Sequence, residues 1–86
     1  MKIVFSEQAW EDYEYWLKND RKLLKRINLL IRDTCRDPFQ GLGKPEPLRH
    51  MLKGYWSRRI NEEHRMVYRA TEDSLLLAQL RYHYGE

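Results

Sequence analysis

The first half of the chain carries the hydrophobic pattern of one strand followed by two helices. Residues 2–5 are a short apolar run that predicts a strand, and Ser6 then provides a helix N-cap. In the first predicted helix, apolar residues recur at helical spacing and form one stripe: Trp10, Tyr13, Trp16 and Leu17. Asp20 can cap a second helix, which is predicted to end before Pro38. The apolar stripe of this second helix comprises Leu23, Leu24, Ile27, Leu30, Ile31 and Thr34.

The second half of the chain carries the pattern of a sheet. Residues 39–47 contain two glycines and two prolines and predict an irregular loop. Residues 48–52 predict a strand, and residues 56–68 predict a β-hairpin connected by the polar stretch 61–64. Residues 74–84 are the most apolar part and predict a central strand buried on both faces. The order β-α-α-β-β-β predicts an α+β fold, with two N-terminal helices packed on one face of a mainly antiparallel sheet.

Side-chain alternation along the hairpin separates a core face from a polar face. The core face is predicted to hold Met66, Tyr68 and Ala70. The polar face is predicted to be open and to gather Arg65, Arg69, Arg81 and His83. With Arg58 and Arg59 on the adjacent strand, these residues form a candidate anion site, because a guanidinium offers a planar fork of donors matched to phosphate. The alternative is a sheet face that arginine merely keeps soluble.

The distribution of charge favours a nucleic-acid partner more than the net charge of +3 does. Residues 7–20 hold five acidic groups and one lysine, whereas residues 21–36 hold six basic groups and one aspartate. Residues 44–69 hold seven basic groups and three acids. Two basic segments beside an acidic helix fit a polarised nucleic-acid-binding surface. For the second helix alone, a plain solvated face is an equally good interpretation. Its basic residues are Lys22, Lys25, Arg26, Arg32 and Arg36.

Cysteine content and hydropathy indicate the compartment. Cys35 is the only cysteine, so no intrachain disulfide can form and a reducing compartment is expected. We expect no signal peptide, because only three apolar residues follow Lys2 before Ser6, and the sequence has no run of about 20 apolar residues that would cross a bilayer. Without internal repeats or low-complexity segments, it is predicted to be a single cytoplasmic domain over residues 1–86.

Three residues suggest a reaction. A carboxylate, an arginine and a histidine around one phosphate suffice for metal-free RNA cleavage through the ribose 2′-hydroxyl. Glu46 is the candidate base, Arg65 the candidate stabiliser of phosphorane charge and His83 the candidate acid. Glu46 lies between two prolines that restrict its backbone, although an ordinary loop glutamate is the alternative. The histidines lack the spacing of metal ligands, so no metal or other cofactor is expected. His64 is interpreted as a turn residue, and His50 as a neighbour of the loop.

Several motifs then resemble one family, in order and in spacing. They are G-K-P-E-P-L-R-H at 43–50, W-S-R-R-I-N-E-E-H-R-M-V-Y at 56–68 and R-Y-H-Y at 81–84. The opening K-I-V-F-S-E and the stretch W-E-D-Y-E-Y-W at 10–16 match as well. Together they resemble the Txe/YoeB family of toxins within the RelE-like superfamily, over nearly the whole chain.

This resemblance implies a type II toxin that enters the ribosomal A site, cuts mRNA there and is neutralised by a YefM-type antitoxin. It also implies a RelE-like fold, a homodimer, and contact with operator DNA only through the toxin–antitoxin complex. Within the family pattern, Glu46 is the general base, Arg65 the phosphate-stabilising arginine and His83 the general acid. Arg59 and Tyr84 fall on substrate-contacting positions.

Two departures from the family pattern affect the interpretation. Arg49 stands where a lysine is expected; it keeps the charge but changes the donor geometry. The chain also continues through Gly85-Glu86, beyond the Tyr-His-Tyr where relatives tend to end. We still expect the Lys44–Arg49 loop and the basic second helix to contact ribosomal RNA phosphates. The alternatives are a non-catalytic nucleic-acid-binding module that acts with its antitoxin on operator DNA, and a purely structural interaction domain.

Overall fold

Two side-chain caps set the start of the helices. The structure, a computed structural model, describes residues 1–83. The Ser6 hydroxyl accepts a hydrogen bond from the Ala9 amide and begins helix α1, Glu7–Asn19. The Asp20 carboxylate accepts from the Leu23 amide in the same way and begins helix α2, Arg21–Arg36. Both predicted caps are confirmed, and so is the end of α2 before Pro38.

Five strands form one mixed sheet in the order β1-β5-β4-β3-β2. Their bounds are β1 Lys2–Phe5, β2 Glu46–Pro47, β3 Trp56–Arg59, β4 Arg65–Ala70 and β5 Ser74–Gln79. Strand β1 pairs with β5 in parallel, and the other three pairings are antiparallel. The last strand of the chain is therefore an interior strand between β1 and β4, and β4 is the middle of the sheet. Leu75 and Leu77 of β5 are buried but Leu76 and Ala78 are only half-buried, so the prediction of a central strand buried on both faces is met in part.

The two helices pack on one face of this sheet and enclose the core. Of the three predicted core residues of the hairpin, Met66 and Tyr68 are fully buried there, whereas Ala70 is half-buried. Leu75 and Leu77 of β5 are buried beside them. From the helices, the core receives Ala9, Trp16, Leu24, Ile27, Leu30 and Ile31. The predicted architecture, two helices on one face of a mainly antiparallel sheet, is confirmed. Within residues 1–83, no helix combines the length and the apolar character needed to cross a bilayer.

The predicted strand at 48–52 is wrong. Only Leu48 of this stretch is buried, and His50 has a φ of 56°, in the left-handed region that an extended strand excludes. A short 3₁₀ turn spans His50–Leu52 instead, while the pair Glu46–Pro47, predicted as loop, forms strand β2. The following segment lies over the second sheet face, where Tyr55 shares a shallow cavity with Ala78. That face is therefore covered in part, not fully open.

The buried face of α1 differs from the predicted stripe. Its buried residues are Ala9, Asp12 and Trp16, whereas Trp10 and Leu17 are exposed. Trp10 stacks on the Tyr13 ring, with the ring centroids 5.8 Å apart, on the outer surface of the helix. A carboxylate thus faces the core where the pattern predicts an aromatic ring.

Candidate active site

The register of the sheet places three of the predicted site residues on one face. Glu46 lies opposite Ser57, Ser57 lies opposite Val67, and Arg59 lies opposite Arg65. Paired residues of an antiparallel ladder share a face, and so do alternate residues along a strand. The side chains of Glu46, Arg59 and Arg65 therefore share the face opposite the helices. From strand spacing, the Cα atoms of Glu46 and Arg65 lie roughly 12 Å apart, so two long side chains can reach one phosphate between them.

Arg65 is held in place by the turn that precedes it. Its Nη1 donates to the carbonyl oxygens of Asn61, Glu62 and His64 at 2.7, 3.2 and 3.1 Å. The residue is only 9% exposed. Because the guanidinium is fixed by backbone acceptors, its charge is oriented before any ligand arrives, which is what electrostatic stabilisation of a transition state requires.

His83 is brought to Arg65 by the backbone of Tyr82. The Tyr82 amide donates to Nδ1 of His64 at 2.7 Å, and its carbonyl accepts from the Arg65 amide at 3.1 Å. The next residue, His83, is exposed. It lines a cavity of about 310 Å³ with Gln8, Asp12, Gln79, Arg81 and Tyr82. The candidate acid and the candidate charge stabiliser are thus joined through one peptide unit.

The end of β5 turns into the core before it reaches His83. The Leu80 amide donates to Oδ2 of Asp12 at 2.9 Å, and the Leu80 carbonyl accepts from Nε1 of Trp16 at 2.8 Å. This anchoring breaks the strand alternation, so Arg81 does not join Arg65 on the polar face. Its guanidinium instead stacks 3.5 Å from the centroid of the Tyr15 ring on α1. The prediction that Arg81 belongs to the open face is wrong for this reason.

Arg58 is not available to an anion either. It is fully buried, and its Nη1 donates to Oδ2 of Asp33 at 2.7 Å and to the Leu42 carbonyl at 3.1 Å. Its Nη2 donates to the carbonyls of Asp37 and Gln40 at 2.6 and 3.1 Å. Hydrogen bonds from the Leu42 amide and from Arg58 lower the pKa of Asp33 to about 2. Arg58 therefore stabilises the loop 37–42 that leads towards Glu46.

A glycine joins that loop to the site. The Gly43 carbonyl accepts from the Arg59 amide at 2.7 Å. Gly43 has a φ of 81°, and a Cβ there would lie 3.0 Å from the Arg59 carbonyl oxygen, a backbone atom. Only glycine suits both conditions. The close approach brings Lys44, which follows, beside the end of β3. Lys44 and Arg49 are both exposed, on either side of Glu46 along the chain.

The basic face of α2 continues from this site. Nη2 of Arg26 lies 3.4 Å from the Arg59 carbonyl, which connects the helix to the end of β3. The other basic residues of this face are exposed: Lys22, Lys25, Arg32 and Arg36. The two basic segments of the sequence thus form neighbouring parts of one surface, which suits a polyanionic partner.

Sequence reasoning missed the residues that support the site. His64, interpreted as a turn residue, is buried and accepts the Tyr82 amide; Asp12 and Trp16 hold Leu80. The available signal is helical spacing, since Asp12 lies on the same face of α1 as Ala9 and Trp16. Among residues 1–83, no three His, Cys, Asp or Glu side chains gather as a metal site. Tyr84, a predicted substrate contact, lies outside the described residues, as does Gly85-Glu86.

Comparison with known proteins identifies the family. A family model described as the YoeB-like toxin of bacterial type II toxin–antitoxin systems matches residues 5–84. Toxin YoeB of Escherichia coli K12 is 61% identical over 84 residues, covering 98% of this chain and all of the relative. A YoeB/ParE toxin from Agrobacterium tumefaciens superimposes with a TM-score of 0.94 at 50% identity, over 98% of this chain and 100% of that one.

Two solved structures from Staphylococcus aureus are also similar at 47% identity, and each alignment covers 98% of both chains. One is a YoeB dimer, with a TM-score of 0.92, and the other a heterotetrameric YoeB–YefM toxin–antitoxin complex, with a TM-score of 0.90. The fold that the sequence resemblance implied is confirmed. The chain belongs to the YoeB-like toxins of bacterial type II toxin–antitoxin systems.

Proposed function

We propose that this toxin is a ribosome-dependent endoribonuclease that cuts mRNA in the A site by metal-free general acid–base chemistry. The observation that carries the proposal is the sheet register. It places the carboxylate of Glu46 on the face that holds the Arg65 guanidinium, while Tyr82 joins His83 to the Arg65 backbone. A carboxylate beside a phosphate-binding arginine repels the substrate unless it takes part in the chemistry. Binding alone gives no reason for it.

The reaction follows from these three side chains. Glu46 accepts the proton of the ribose 2′-hydroxyl, and the 2′-oxygen attacks the adjacent phosphorus. Arg65 stabilises the negative charge of the phosphorane. The bond to the 5′-oxygen then breaks, and His83 donates a proton to that oxygen. The products are a 2′,3′-cyclic phosphate and a free 5′-hydroxyl, and no metal or other cofactor enters the balance.

The basic surface provides the affinity for the ribosome. Lys44, Arg49 and Arg59 are exposed around Glu46, and Arg26 connects them to the basic face of α2. In the proposed function these residues bind RNA phosphates, Arg59 together with Tyr84 at the mRNA and the others mainly at ribosomal RNA. Such contacts release counterions, so binding weakens steeply as salt increases.

The proposed partners follow from the Staphylococcus aureus relatives. One was solved as a dimer and one in complex with YefM. We extend both properties to this chain: a homodimer that a YefM-type antitoxin neutralises in the cytoplasm, and that reaches operator DNA only within the toxin–antitoxin complex. The alternative, a non-catalytic nucleic-acid-binding module acting with its antitoxin, uses the same basic residues but does not need Glu46.

Cleavage-site mapping by primer extension tests the proposal. An mRNA is incubated in a reconstituted translation system, with or without ribosomes, together with wild type, Glu46→Gln, His83→Gln or the control Glu72→Gln. Glu72 is an exposed carboxylate in the turn between β4 and β5, and its substitution should leave cleavage unchanged. Loss of a general base or acid should slow cleavage by about 10²–10⁴-fold.

The possible results separate the hypotheses. In-frame cuts that require ribosomes and that disappear in both site variants support the enzyme and its acid–base roles. Equal cutting by all four proteins contradicts the assigned catalysts. Ribosome binding by the wild type without any cut supports the non-catalytic module, and Glu46→Gln should then bind at least as tightly as the wild type, because a repulsive charge is gone.

A further inference from the structure

The backbone of Tyr82 is held at its amide and at its carbonyl by two consecutive residues, His64 and Arg65. Its amide donates to the side chain of His64, and its carbonyl accepts from the backbone amide of Arg65 at 3.1 Å. Nε2 of Gln79 adds a second, longer bond to the same carbonyl at 3.4 Å. Tyr82 has a φ of 65°, in the left-handed region that residues other than glycine rarely adopt. Such a conformation persists only where the surroundings over-determine it.

His64 is built as an acceptor. Its Nδ1 lies 2.7 Å from the Tyr82 nitrogen, so Nδ1 carries no proton and the ring proton resides on Nε2. Nε2 lies 3.6 Å from Oε1 of Glu63, which suits a nitrogen that bears a proton. The ring is buried and meets the Trp16 indole edge to face, with the ring centroids 4.8 Å apart. Orientation and tautomer are therefore both fixed.

We infer that His64 is a positioning residue for cleavage: its Nδ1 fixes the Tyr82 peptide and thereby sets where His83 stands relative to Arg65. The inference rests on the proposed function, since it assigns His83 a catalytic role. His64 itself has no contact with substrate in this scheme. His64 holds Tyr82, the residue that precedes the proposed acid His83. The residue after His64 in the sequence, Arg65, is the proposed charge stabiliser.

The hydrogen bond to Tyr82, unlike the buried ring that accepts it, lies beyond the part of the chain that the core holds. Leu80, two residues before Tyr82, is already anchored in the core by Asp12 and Trp16. Loss of the bond from Tyr82 to His64 therefore acts beyond that anchor, on the exposed segment that carries His83. Residues 80–83 lie outside the sheet, so ladder hydrogen bonds do not replace the lost contact.

Two substitutions separate the acceptor from the volume of the ring. In His64→Asn, the side-chain oxygen stands at about the position of Nδ1 and can still accept from Tyr82. In His64→Leu, the volume is largely kept and the acceptor is lost. Each purified variant is compared with wild type by thermal unfolding, by amide hydrogen exchange at Tyr82, by ribosome affinity, and by single-turnover cleavage at saturating ribosomes.

We expect His64→Leu to slow single-turnover cleavage by about 10–100-fold, because small misplacements of a catalytic group have effects of this size. Its ribosome affinity should stay within about twofold of wild type, and exchange of the Tyr82 amide should accelerate. His64→Asn should recover most of the rate and of the amide protection. Wild-type cleavage by His64→Leu overturns the inference, and so does a folded His64→Asn that is as slow as His64→Leu.

Failure of the proposed function gives a different pattern. In that case the wild type does not cut, and the amide measurement decides alone. If the Tyr82 amide of His64→Leu exchanges at the wild-type rate, the positioning role is overturned. Faster exchange in His64→Leu, with protection retained in His64→Asn, supports the role of His64 in positioning His83, independently of whether His83 is catalytic.

Discussion

Replacing Trp16 with phenylalanine removes the hydrogen bond that joins helix α1 to the end of strand β5. The Leu80 carbonyl that accepts it is fully buried, so the carbonyl oxygen is left without a partner. A buried polar group left unpaired costs about 1–3 kcal/mol. The smaller ring also leaves a void, worth about 1 kcal/mol. We therefore expect the free energy of unfolding to fall by about 2–4 kcal/mol, a large part of the total for a chain of this size.

Trp10→Phe is the matched control, because it is the same substitution on the same helix. Trp10 is 49% exposed, and phenylalanine can keep the stack on Tyr13. The free energy of unfolding of Trp10→Phe should fall by less than about 1 kcal/mol. Urea unfolding followed by circular dichroism measures both variants against wild type, with the slope checked for two-state behaviour. If the free energies of unfolding of the two variants lie within about 0.5 kcal/mol of each other, the buried hydrogen bond contributes nothing specific to stability.

Three further predictions concern the loop and the basic surface. Arg58→Met should lower the melting temperature by more than about 12 °C, because it leaves buried acceptors unpaired, whereas exposed Arg59→Met should shift it by only about 3 °C or less; similar shifts in calorimetry would contradict this. The folded-state pKa of Asp33, about 2, is below its ordinary value of 3.8. The stabilisation from ionised Asp33 is thus complete above pH 4 and is lost as the pH falls from about 4 towards 2. In urea titrations, the difference in free energy of unfolding between wild type and Asp33→Asn should narrow across that window. A difference that stays constant would exclude this linkage between protonation and stability. In binding titrations, the logarithm of ribosome affinity should fall less steeply with the logarithm of salt concentration for Lys44→Gln than for wild type. The slope should decrease in magnitude by about 0.7–0.9, the value for one lost phosphate contact. An unchanged slope would mean that Lys44 contacts no phosphate.

The sequence predicted the fold where the determinants are local. The caps at Ser6 and Asp20 depend on residues three positions away, and the stripe of α2 repeats over four turns. The strand predicted at 48–52 fails because its apolar residues do not alternate strictly and its backbone turns at His50. Such a turn has no strong signal in side-chain hydrophobicity.

The site was predicted less completely than the fold, because burial of a charge depends on distant partners. Arg58 and Arg59 are adjacent and chemically identical in the sequence. Arg58 lies opposite buried Met66, and Asp33, 25 residues earlier, together with the carbonyls of loop 37–42, makes it a buried anchor. The same holds for His64, whose role depends on a backbone amide 18 residues later. The choice of Glu46, Arg65 and His83 as catalysts stays a prediction.

The parallel pairing of β1 with β5 determines when a newly made chain can become active. The first strand finds its partner only after residues 74–79 have been synthesised, and β5 is also the strand that connects β1 to the rest of the sheet. Pairings between opposite ends of a chain slow folding, because a long loop must close before the contacts form. A product whose translation stops before β5 lacks both an interior strand of the sheet and His83. The fold of the proposed nuclease is therefore completed only after β5 has been synthesised. Under the proposed function, incomplete copies cannot attack the ribosomes that make them.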